Sequence, residues 1–325
     1  MEPADQVTSR ISAISAFHDA IIDMVGSYVV GNHELLELIL IALMSEGHLL
    51  IEGAPGTAKT TIAKAVALAT NCSFNRIQGA IDLQPADMIG VRIFDQSTRT
   101  FVLRPGPVFT NILLADEINR INPKSQSAFI EAMSEQQATI DGETFLLPSP
   151  FLVIATQNPY EPQGTFPLIE AQRDRFMFGL QTGHLGPVDE LDLVRRESSG
   201  KLDWNDFAGS IDMDITKDTL LEMIRTVSTI HIGEPVMTYI RDIVVATRNN
   251  GNIELGASSR ASIAFVRGAR ARAAIAKRTY VLPDDVKMLA REILCHRIIL
   301  TREAAVEGVG AADVVKEILD TIEVP

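Results

Sequence analysis

The chain has 325 residues, of which 46% are hydrophobic and 22% are charged, and its formal net charge at pH 7 is −13. This length exceeds what one hydrophobic core usually organises, so we expect two domains. The composition excludes an intrinsically disordered protein, because enough apolar residues are present to form a large core. The acidic balance argues against a broad nucleic-acid-binding surface, which needs an excess of Lys and Arg.

The sequence gives no indication of a membrane span or a secretory signal. The longest apolar stretch, Leu38–Met44, falls far short of the roughly 20 residues that a bilayer crossing requires. The N-terminus, MEPADQVTSR, lacks the basic region and apolar core of a signal peptide. Cys72 and Cys295 have no CxxC partners. We therefore expect a cytoplasmic protein with reduced thiols.

One basic segment departs from the acidic balance. Between residues 260 and 278 the chain carries six cationic residues and no acidic one, namely Arg260, Arg267, Arg270, Arg272, Lys277 and Arg278. We interpret the segment as a solvated helix face with one or two phosphate-facing residues, rather than as a nucleic-acid site.

Two helical patterns and a strand open the chain. Apolar residues recur at helical spacing up to about residue 25, behind Thr8 and Ser9, which can cap a first turn. A second apolar helix is predicted from about Glu34 to Ser45. The run His48–Ile51 has the character of a short buried strand, and helical spacing resumes over Thr60–Leu68. A strand, a glycine-rich turn and a helix therefore follow one another here.

Further strands, a helix and two hairpins are predicted before residue 183. Asn111–Ala115 and Phe151–Thr156 are continuous apolar runs, as in a parallel sheet covered on both faces. The segment Ser125–Gln136 has helical spacing between them. Hairpin turns are expected around Asp95–Arg99 and at Asp141-Gly142, which lie between β-prone segments.

The remainder of the chain has a different pattern. After about residue 183 it is mostly helical, without a strong buried strand. We predict an α/β domain with a parallel sheet over residues 1–190 and a smaller all-helical lid domain over residues 191–325, with the boundary between about 183 and 210.

The turn after the first strand matches a phosphate-binding loop. GAPGTAKT fits the pattern GxxxxGK[ST], except that Ala58 replaces the second glycine. Backbone N–H groups and the helix N-terminus of such a loop bind the β-phosphate, while Lys59 reaches the β- and γ-oxygens and Thr60 ligates Mg²⁺. A Cβ makes left-handed backbone costly, so we expect a negative φ at Ala58. The predicted residues for binding ATP are Gly53, Ala54, Pro55, Gly56, Thr57, Ala58, Lys59, Thr60 and Thr61.

An acidic pair and an amide follow the next two apolar runs. Asp116 and Glu117 follow the apolar run NILLA at the end of a predicted strand. We assign Asp116 to binding Mg²⁺ and Glu117 to activating the attacking water. The alternative is that the two carboxylates only solvate the strand end. Asn158 ends the neighbouring run and can position the water without adding charge. Its alternative is a turn asparagine before proline.

Two further sites carry arginines. In the segment EAQRDRF, a guanidinium can stabilise the transition-state charge on a γ-phosphate, and a neighbouring subunit can donate it. Arg175 is our candidate and Arg173 the alternative; either can instead form a surface ion pair. Arg260 opens a helix in GASSR, from which it could reach phosphate across the cleft between the domains.

These motifs together resemble the MoxR family of AAA+ ATPases, in the branch with an insertion in helix 2 and a hairpin before the sensor 1 strand. The resemblance spans about residues 30 to 300, and the family itself uses the loop form GxPGxAKT. Ile169 and Arg173 depart from it, since the family commonly has Pro and Leu there. The matching stretches are GHLLIEGAPGTAKT, DLQPADMIG, PGPVFTNILLADEINR, PKSQSAFIEAMSEQQ, FLVIATQNPYEPQGTFPLIEAQRDRF, GASSRASIAFVRGARARA and YVLPDDVKMLA.

The resemblance implies roles and partners. It implies an α/β nucleotide-binding domain with a helical lid, a hexameric ring, and chaperone-type activity together with von Willebrand A-domain proteins. A nucleic-acid motor and a nucleotide-gated binding module are the alternative functions. The implied motif residues are Lys59 and Thr60 in Walker A, Asp116 and Glu117 in Walker B, Asn158 in sensor 1, Arg175 as the arginine finger and Arg260 in sensor 2.

Overall fold

The apolar runs form a parallel sheet with helices on both faces, and the rest of the chain is largely helical. The structure is a computed structural model that describes residues 4–53, 56–158, 164–211 and 215–325. Its strands are β1 (Leu49–Gly53), β2 (Phe74–Gln78), β3 (Gly90–Asp95), β4 (Thr100–Pro105), β5 (Ile112–Asp116), β6 (Gln137–Ile140), β7 (Glu143–Leu146), β8 (Leu152–Gln157), β9 (Phe178–Thr182), β10 (Ile253–Leu255) and β11 (Ile299–Leu300).

The helices alternate with the strands up to β9 and dominate after it. A 3-10 turn, Ile118–Arg120, follows β5. The α-helices are α1 (Ala4–Tyr28), α2 (His33–Met44), α3 (Lys59–Ala69), α4 (Pro85–Ile89), α5 (Pro123–Glu135), α6 (Glu170–Arg173), α7 (Pro187–Ser198), α8 (Trp204–Ser210), α9 (Lys217–Ser228), α10 (Glu234–Asn249), α11 (Ser259–Ile275), α12 (Pro283–Lys287), α13 (Ala290–Leu294), α14 (Arg302–Val306) and α15 (Ala311–Thr321).

The main sheet has the strand order β2-β5-β8-β1-β9, and every pair in it is parallel. Alternate residues of β5 enter two different cores. Ile112 and Leu114 pack with helices α1, α2 and α3, whereas Leu113 and Ala115 pack with α5 on the opposite face. Burial on both faces explains why these strands are continuous apolar runs, as predicted.

Two hairpins extend from this sheet, and both were predicted. β3 pairs with β4, and β6 pairs with β7, each in antiparallel register. In the second hairpin, Asp141 and Gly142 have φ angles of 51° and 81°. A two-residue hairpin loop with left-handed backbone at both positions matches the twist of its strands, which favours the Asp-Gly pair.

The start of α1 differs from the prediction. The helix begins at Ala4, so Thr8 and Ser9 lie inside it rather than at its N-cap. Its apolar stripe, which includes Ile14 and Ile21, packs against α2 and α3 and also against α9 and α11. A polar pair inside a helix is tolerated when packing of the apolar face stabilises the helix, as it does here.

The C-terminal region packs around α11. This helix contacts α1, α2, α9, α10, α12 and α13. β10 and β11 form a short antiparallel pair in which β10 contacts α10, and β11 is only two residues long. The helical character predicted for the lid is therefore observed, while the division at residue 190 stays a proposal. In the part of the chain that the structure describes, every helix is too short or too polar to cross a bilayer.

We predict that Leu114→Ala lowers the free energy of unfolding by about 2–5 kcal/mol, because it empties space in a core that cannot fully close. Leu114 is fully buried in β5. The matched control is Leu68→Ala in α3, where the side chain is 42% exposed and the cost should be about 0.5 kcal/mol or less. Urea denaturation measures both. Equal midpoints for the two variants would contradict the central position of β5.

Candidate functional site

A cavity of about 380 Å³ lies at the carboxyl ends of β1, β8 and β5. Parallel strands end at the same edge of a sheet, which is where open α/β sheets bind ligands. We call it the strand-end cavity. The described residues that line it are Gly53, Gly56, Thr57, Ala58, Lys59, Thr60, Thr61, Arg76, Gln78, Asp116, Glu117, Thr156, Gln157 and Asn158.

The loop between β1 and α3 requires glycine at two positions. A Cβ on Gly53 would lie 2.3 Å from the carbonyl oxygen of Thr182 in β9. Gly56 has a φ of +83°, a left-handed angle that glycine adopts without a steric cost. Ala54 and Pro55 lie outside the described residues. The loop ends where α3 begins, so the first backbone N–H groups of this helix are available to an anion in the cavity.

Ala58 contradicts the expectation of a negative φ. Its φ is 56° and its ψ is 11°, so the residue before α3 lies in the left-handed region. This conformation costs an alanine about 1–2 kcal/mol. Its side chain packs at the edge of the core that contains α1 and α3, which offsets part of that cost. The path of the loop into α3 therefore imposes a positive φ on Ala58, although alanine prefers a negative φ.

The left-handed φ generates a prediction for this position. Ala58→Gly should keep the melting temperature and the nucleotide affinity, since glycine adopts this φ freely. Ala58→Val should lower both, with a loss of at least about 1 kcal/mol, because a β-branched side chain is a genuine outlier there. Thermal denaturation and nucleotide titration measure the effects. Tolerance of valine together with destabilisation by glycine would indicate a negative φ instead.

Lys59 places a buried ammonium group in the strand-end cavity. The residue is 8% exposed, and its Nζ lies 3.5 Å from the carbonyl oxygen of Gly53. Burial lowers the pKa of Lys59, and the nearby Asp116 carboxylate opposes that shift. A cation that has lost much of its hydration is stabilised by an anion placed next to it. The site therefore favours a phosphate group beside Lys59.

Asp116 and Glu117 both reach the cavity, and Thr156 connects them. The Thr156 hydroxyl accepts a hydrogen bond from the backbone N–H of Glu117 at 2.9 Å and donates one to Asp116 Oδ1 at 3.2 Å. Glu117 has a φ of 53°, a strained angle that turns the chain directly after β5. Such strain at a strand end is typical of functional sites.

Two residues of β2 contact this acidic pair. Arg76 Nε donates to Asp116 Oδ2 at 2.7 Å, and Gln78 Nε2 donates to Glu117 Oε2 at 3.0 Å. Arg120 adds an ion pair with Glu117 at 3.3 Å. Each carboxylate thus has a cationic or amide partner, and a bound metal or water has to compete with these contacts.

Asn158 lies where β8 ends and lines the cavity, as the sequence predicts. Its backbone carbonyl accepts a hydrogen bond from Asn119 at 3.3 Å, which fixes the chain at this point. The preceding Gln157 also lines the cavity and donates to a carboxylate oxygen of Glu52 in β1. These contacts hold the ends of β1 and β8 together beside the loop.

The structure places Arg175 and Arg260 together, at a different cavity. Neither is among the described residues that line the strand-end cavity. Both line a second cavity of about 260 Å³, which we call the arginine cavity, together with Arg267 and Arg297. Arg260, which the sequence suggests could reach phosphate across the cleft between the domains, lies 3.7 Å from Asp174, the residue before Arg175.

Arg173, the alternative to Arg175, has a different environment. Its Nε is buried and has no hydrogen-bond partner among the described residues. Burial lowers the pKa of His296, and the charges of Arg297 and, to a smaller extent, Arg173 add to that shift. Arg173 is not one of the described residues that line the arginine cavity, whereas Arg175 is.

A third cavity adjoins the loop on its other side. It has a volume of about 420 Å³ and shares Gly56, Thr57, Ala58 and Thr61 with the strand-end cavity. We call it the apolar cavity after the valine and leucine side chains and the aromatic ring that line one part of it, although polar residues such as His184 and Glu190 line the rest. The apolar and aromatic residues include Tyr28, Val29, Val30, Leu185 and Leu193.

Sequence reasoning missed two parts of the site. The first is the pair Arg76 and Gln78, whose signal is weak: polar residues at positions i and i+2 of a strand that lies at a sheet edge. The second is the apolar cavity, which combines the end of α1 with residues near α7. Val29 and Val30 are far from Leu185 in the sequence, and no local pattern connects them.

A parallel sheet, a phosphate-binding loop between β1 and α3, and an acidic pair at the end of β5 define a P-loop ATPase of the AAA class. The AAA_3 model, described as "ATPase family associated with various cellular activities (AAA)", matches residues 48–178. A model of the AAA lid domain matches residues 245–318. A proposed ATPase from Cytophaga hutchinsonii has a crystal structure that matches with a TM-score of 0.90 and 38% identity, covering 99% of this chain and 98% of that one.

Relatives identify the family. Chaperone MoxR1 of Mycobacterium tuberculosis is 38% identical over 91% of this chain and 79% of its own length. Protein YeaC of Bacillus subtilis is 41% identical over 94% of this chain and 93% of its own length. Protein MoxR of Methylorubrum extorquens is 27% identical over 91% of this chain and 92% of its own length. The chain belongs to the MoxR family of AAA+ ATPases.

Proposed function

We propose that this ATPase is a chaperone-like machine, which uses ATP hydrolysis to remodel or activate a protein complex and acts as a homo-oligomeric ring. The observation that carries the proposal is the strand-end cavity, where a buried ammonium group, two carboxylates and an amide meet. Phosphoryl transfer needs little covalent chemistry from the protein; it needs positioning and electrostatic stabilisation, which these groups supply.

The residues of the cavity fit a triphosphate with Mg²⁺. Backbone N–H groups at the start of α3 and the Lys59 ammonium group bind phosphate oxygens. Within residues 4–53, 56–158, 164–211 and 215–325, no group of three or more His, Cys, Asp or Glu could hold a metal by itself. Asp116 and Thr60 offer one carboxylate and one hydroxyl, and Mg²⁺ is commonly held by few protein ligands together with phosphate oxygens and water.

Glu117 and Asn158 have separate roles in the proposed reaction. The Glu117 carboxylate orients the attacking water and accepts its proton, while the Asn158 amide contacts the γ-phosphate and the water. Thr156 fixes the backbone of Glu117, and Gln78 holds its side chain until substrate arrives. The base of the nucleotide occupies the apolar cavity.

A second copy of the chain completes the site in this proposal. Arg175 and Arg260 line the arginine cavity and are absent from the described lining of the strand-end cavity. A guanidinium stabilises the transition state only when it touches the γ-phosphate. We therefore assign both arginines to the nucleotide of a neighbouring subunit. The hexameric number rests on the family resemblance.

The class of client also rests on the family. Chaperone MoxR1 carries the word chaperone in its name, and the resemblance implies a von Willebrand A-domain partner. We propose such a protein as the partner that transmits ring rearrangements to a client. Co-purification with a von Willebrand A-domain protein, stronger with the Glu117→Gln variant in ATP than with wild type, would support this. Equal capture with and without nucleotide would contradict nucleotide control.

The basic segment does not favour a nucleic-acid motor. Several of its cations already have intramolecular partners: Arg270 donates to a carbonyl oxygen of Ile230, Arg272 pairs with Glu37, and Arg278 pairs with Asp285. A phosphate-binding surface needs cations that are available to solvent. These contacts agree with the interpretation of the segment as a helix face.

We predict that Glu117→Gln lowers the steady-state rate of phosphate release by about 10²-fold or more, because the water loses its general base. ATP binding should persist, since the amide has nearly the same shape. The matched control is Glu317→Gln, which changes an exposed carboxylate of α15 and should keep the wild-type rate. Equal rates in all three proteins would remove the hydrolytic role of Glu117.

A further inference from the structure

A buried arginine of the C-terminal region holds the segment that carries Arg175. Arg297 lies between α13 and β11; its side chain is 2% exposed. All five of its N–H donors meet acceptors. Nε donates to Asp174 Oδ1 at 3.1 Å. Nη1 donates to the carbonyl oxygen of Met177 at 2.9 Å and to a carbonyl oxygen of α13. Nη2 donates to the carbonyl oxygens of Asp174 at 3.4 Å and Phe176 at 2.5 Å. Three of these four carbonyls flank Arg175.

Asp174 connects this arginine to the start of α11. Ser258 Oγ lies 3.0 Å from Asp174 Oδ1 and 2.8 Å from Oδ2, and Arg260 Nη1 lies 3.7 Å from Oδ2. Ser258 is also the N-cap of α11, where its Oγ accepts from the backbone N–H of Arg260 at 3.0 Å. One carboxylate thus joins segments that are 84 positions apart. We call Asp174, Ser258 and Arg297 the Asp174 cluster.

Burial makes this connection difficult to break. It lowers the pKa of Arg297 to about 10, while Asp174 raises it, so the guanidinium stays protonated at neutral pH. A buried cation is stable only when an opposite charge and hydrogen-bond acceptors surround it. Moving the segment around Arg175 away from Arg297 would remove both. The segment therefore moves together with α11 and α13.

We propose that Asp174 and Arg297 are positioning residues, which fix Arg175 and Arg260 relative to each other so that both reach a neighbouring copy's nucleotide as one unit. The inference rests on the proposed function, in which Arg175 acts across the subunit interface. Neither positioning residue is among the described residues that line the strand-end cavity. A displacement of about 1 Å at a catalytic group can lower a rate on the order of 10²-fold, so rigid placement of the two arginines matters for the rate.

Mixed assemblies test this role. Glu117→Gln subunits keep both arginines but lack the general base, whereas Arg175→Ala subunits keep the base but lack the finger. Mixing them should restore hydrolysis wherever a Glu117→Gln subunit presents Arg175 to an Arg175→Ala subunit. This first mixture tests the proposed function by itself: if each subunit alone is inactive and the mixture stays inactive, Arg175 does not act across an interface.

The Asp174 cluster is tested in the second mixture. Here Arg175→Ala subunits are mixed with subunits that carry both Glu117→Gln and Asp174→Asn. We expect this mixture to restore about tenfold less hydrolysis than the first, at an unchanged KM for ATP, because the arginines are misplaced while the nucleotide site is intact. The matched control combines Glu117→Gln with Asp242→Asn, which alters an exposed carboxylate of α10, and should restore fully. Restoration by the Asp174→Asn subunits equal to that of the control would overturn the proposal.

Ser258→Ala is the second variant. It tests whether the Asp174 cluster positions the two arginines even if Asp174→Asn subunits do not assemble. It removes one hydroxyl contact to Asp174 and leaves the buried ion pair in place. We expect kcat to fall about two- to fivefold at an unchanged KM, and the melting temperature to stay within a few degrees. A kcat equal to that of wild type would contradict a positioning role for the cluster.

Discussion

The parallel pairing of β1 with β8 and of β8 with β5 is the constraint on which the site depends. It brings the carboxyl ends of three strands to one edge, so that a loop, an acidic pair and an amide that are separate in the sequence meet in one cavity. The pairing is possible because both faces of β5 and β8 are covered by apolar side chains. Burial of the core thus determines where the polar site residues lie.

The charges in the strand-end cavity form an arrangement that is incomplete without substrate. Lys59 is buried near Asp116, and Arg76 pairs with the same carboxylate, so two cations lie close to the group that we propose as a Mg²⁺ ligand. A triphosphate adds the negative charge that Lys59 and the α3 N-terminus favour. Arg175 and Arg260, which we assign to the transition state, line a different cavity, so in the proposed mechanism a neighbouring subunit has to supply them.

The sequence predicted those parts of the fold and site that depend on local pattern. β1, β5 and β8 are apolar runs; Lys59 follows β1 after a short glycine-rich loop, and Asp116 and Glu117 lie at the end of β5, so their positions could be read from the sequence. β2 and β9 were not predicted. Their sequences, FNRIQ and FGLQT, contain polar residues or glycine, and both strands lie at an edge of the sheet, so neither is a continuous apolar run. The φ of Ala58 and the placement of Arg260 depend on contacts with distant segments, which no local pattern reports.

Nucleotide uptake by the purified chain in the presence of Mg²⁺ tests the central claim most directly. Isothermal titration calorimetry measures it, and Trp204 gives a parallel optical signal, because it is the single tryptophan and its ring packs against Tyr28 of the apolar cavity. The account predicts saturable binding of ATP that Lys59→Ala weakens by about 10²-fold, the loss of roughly one charge-assisted contact. Absence of both heat and fluorescence change, in isolated and assembled protein, would contradict it.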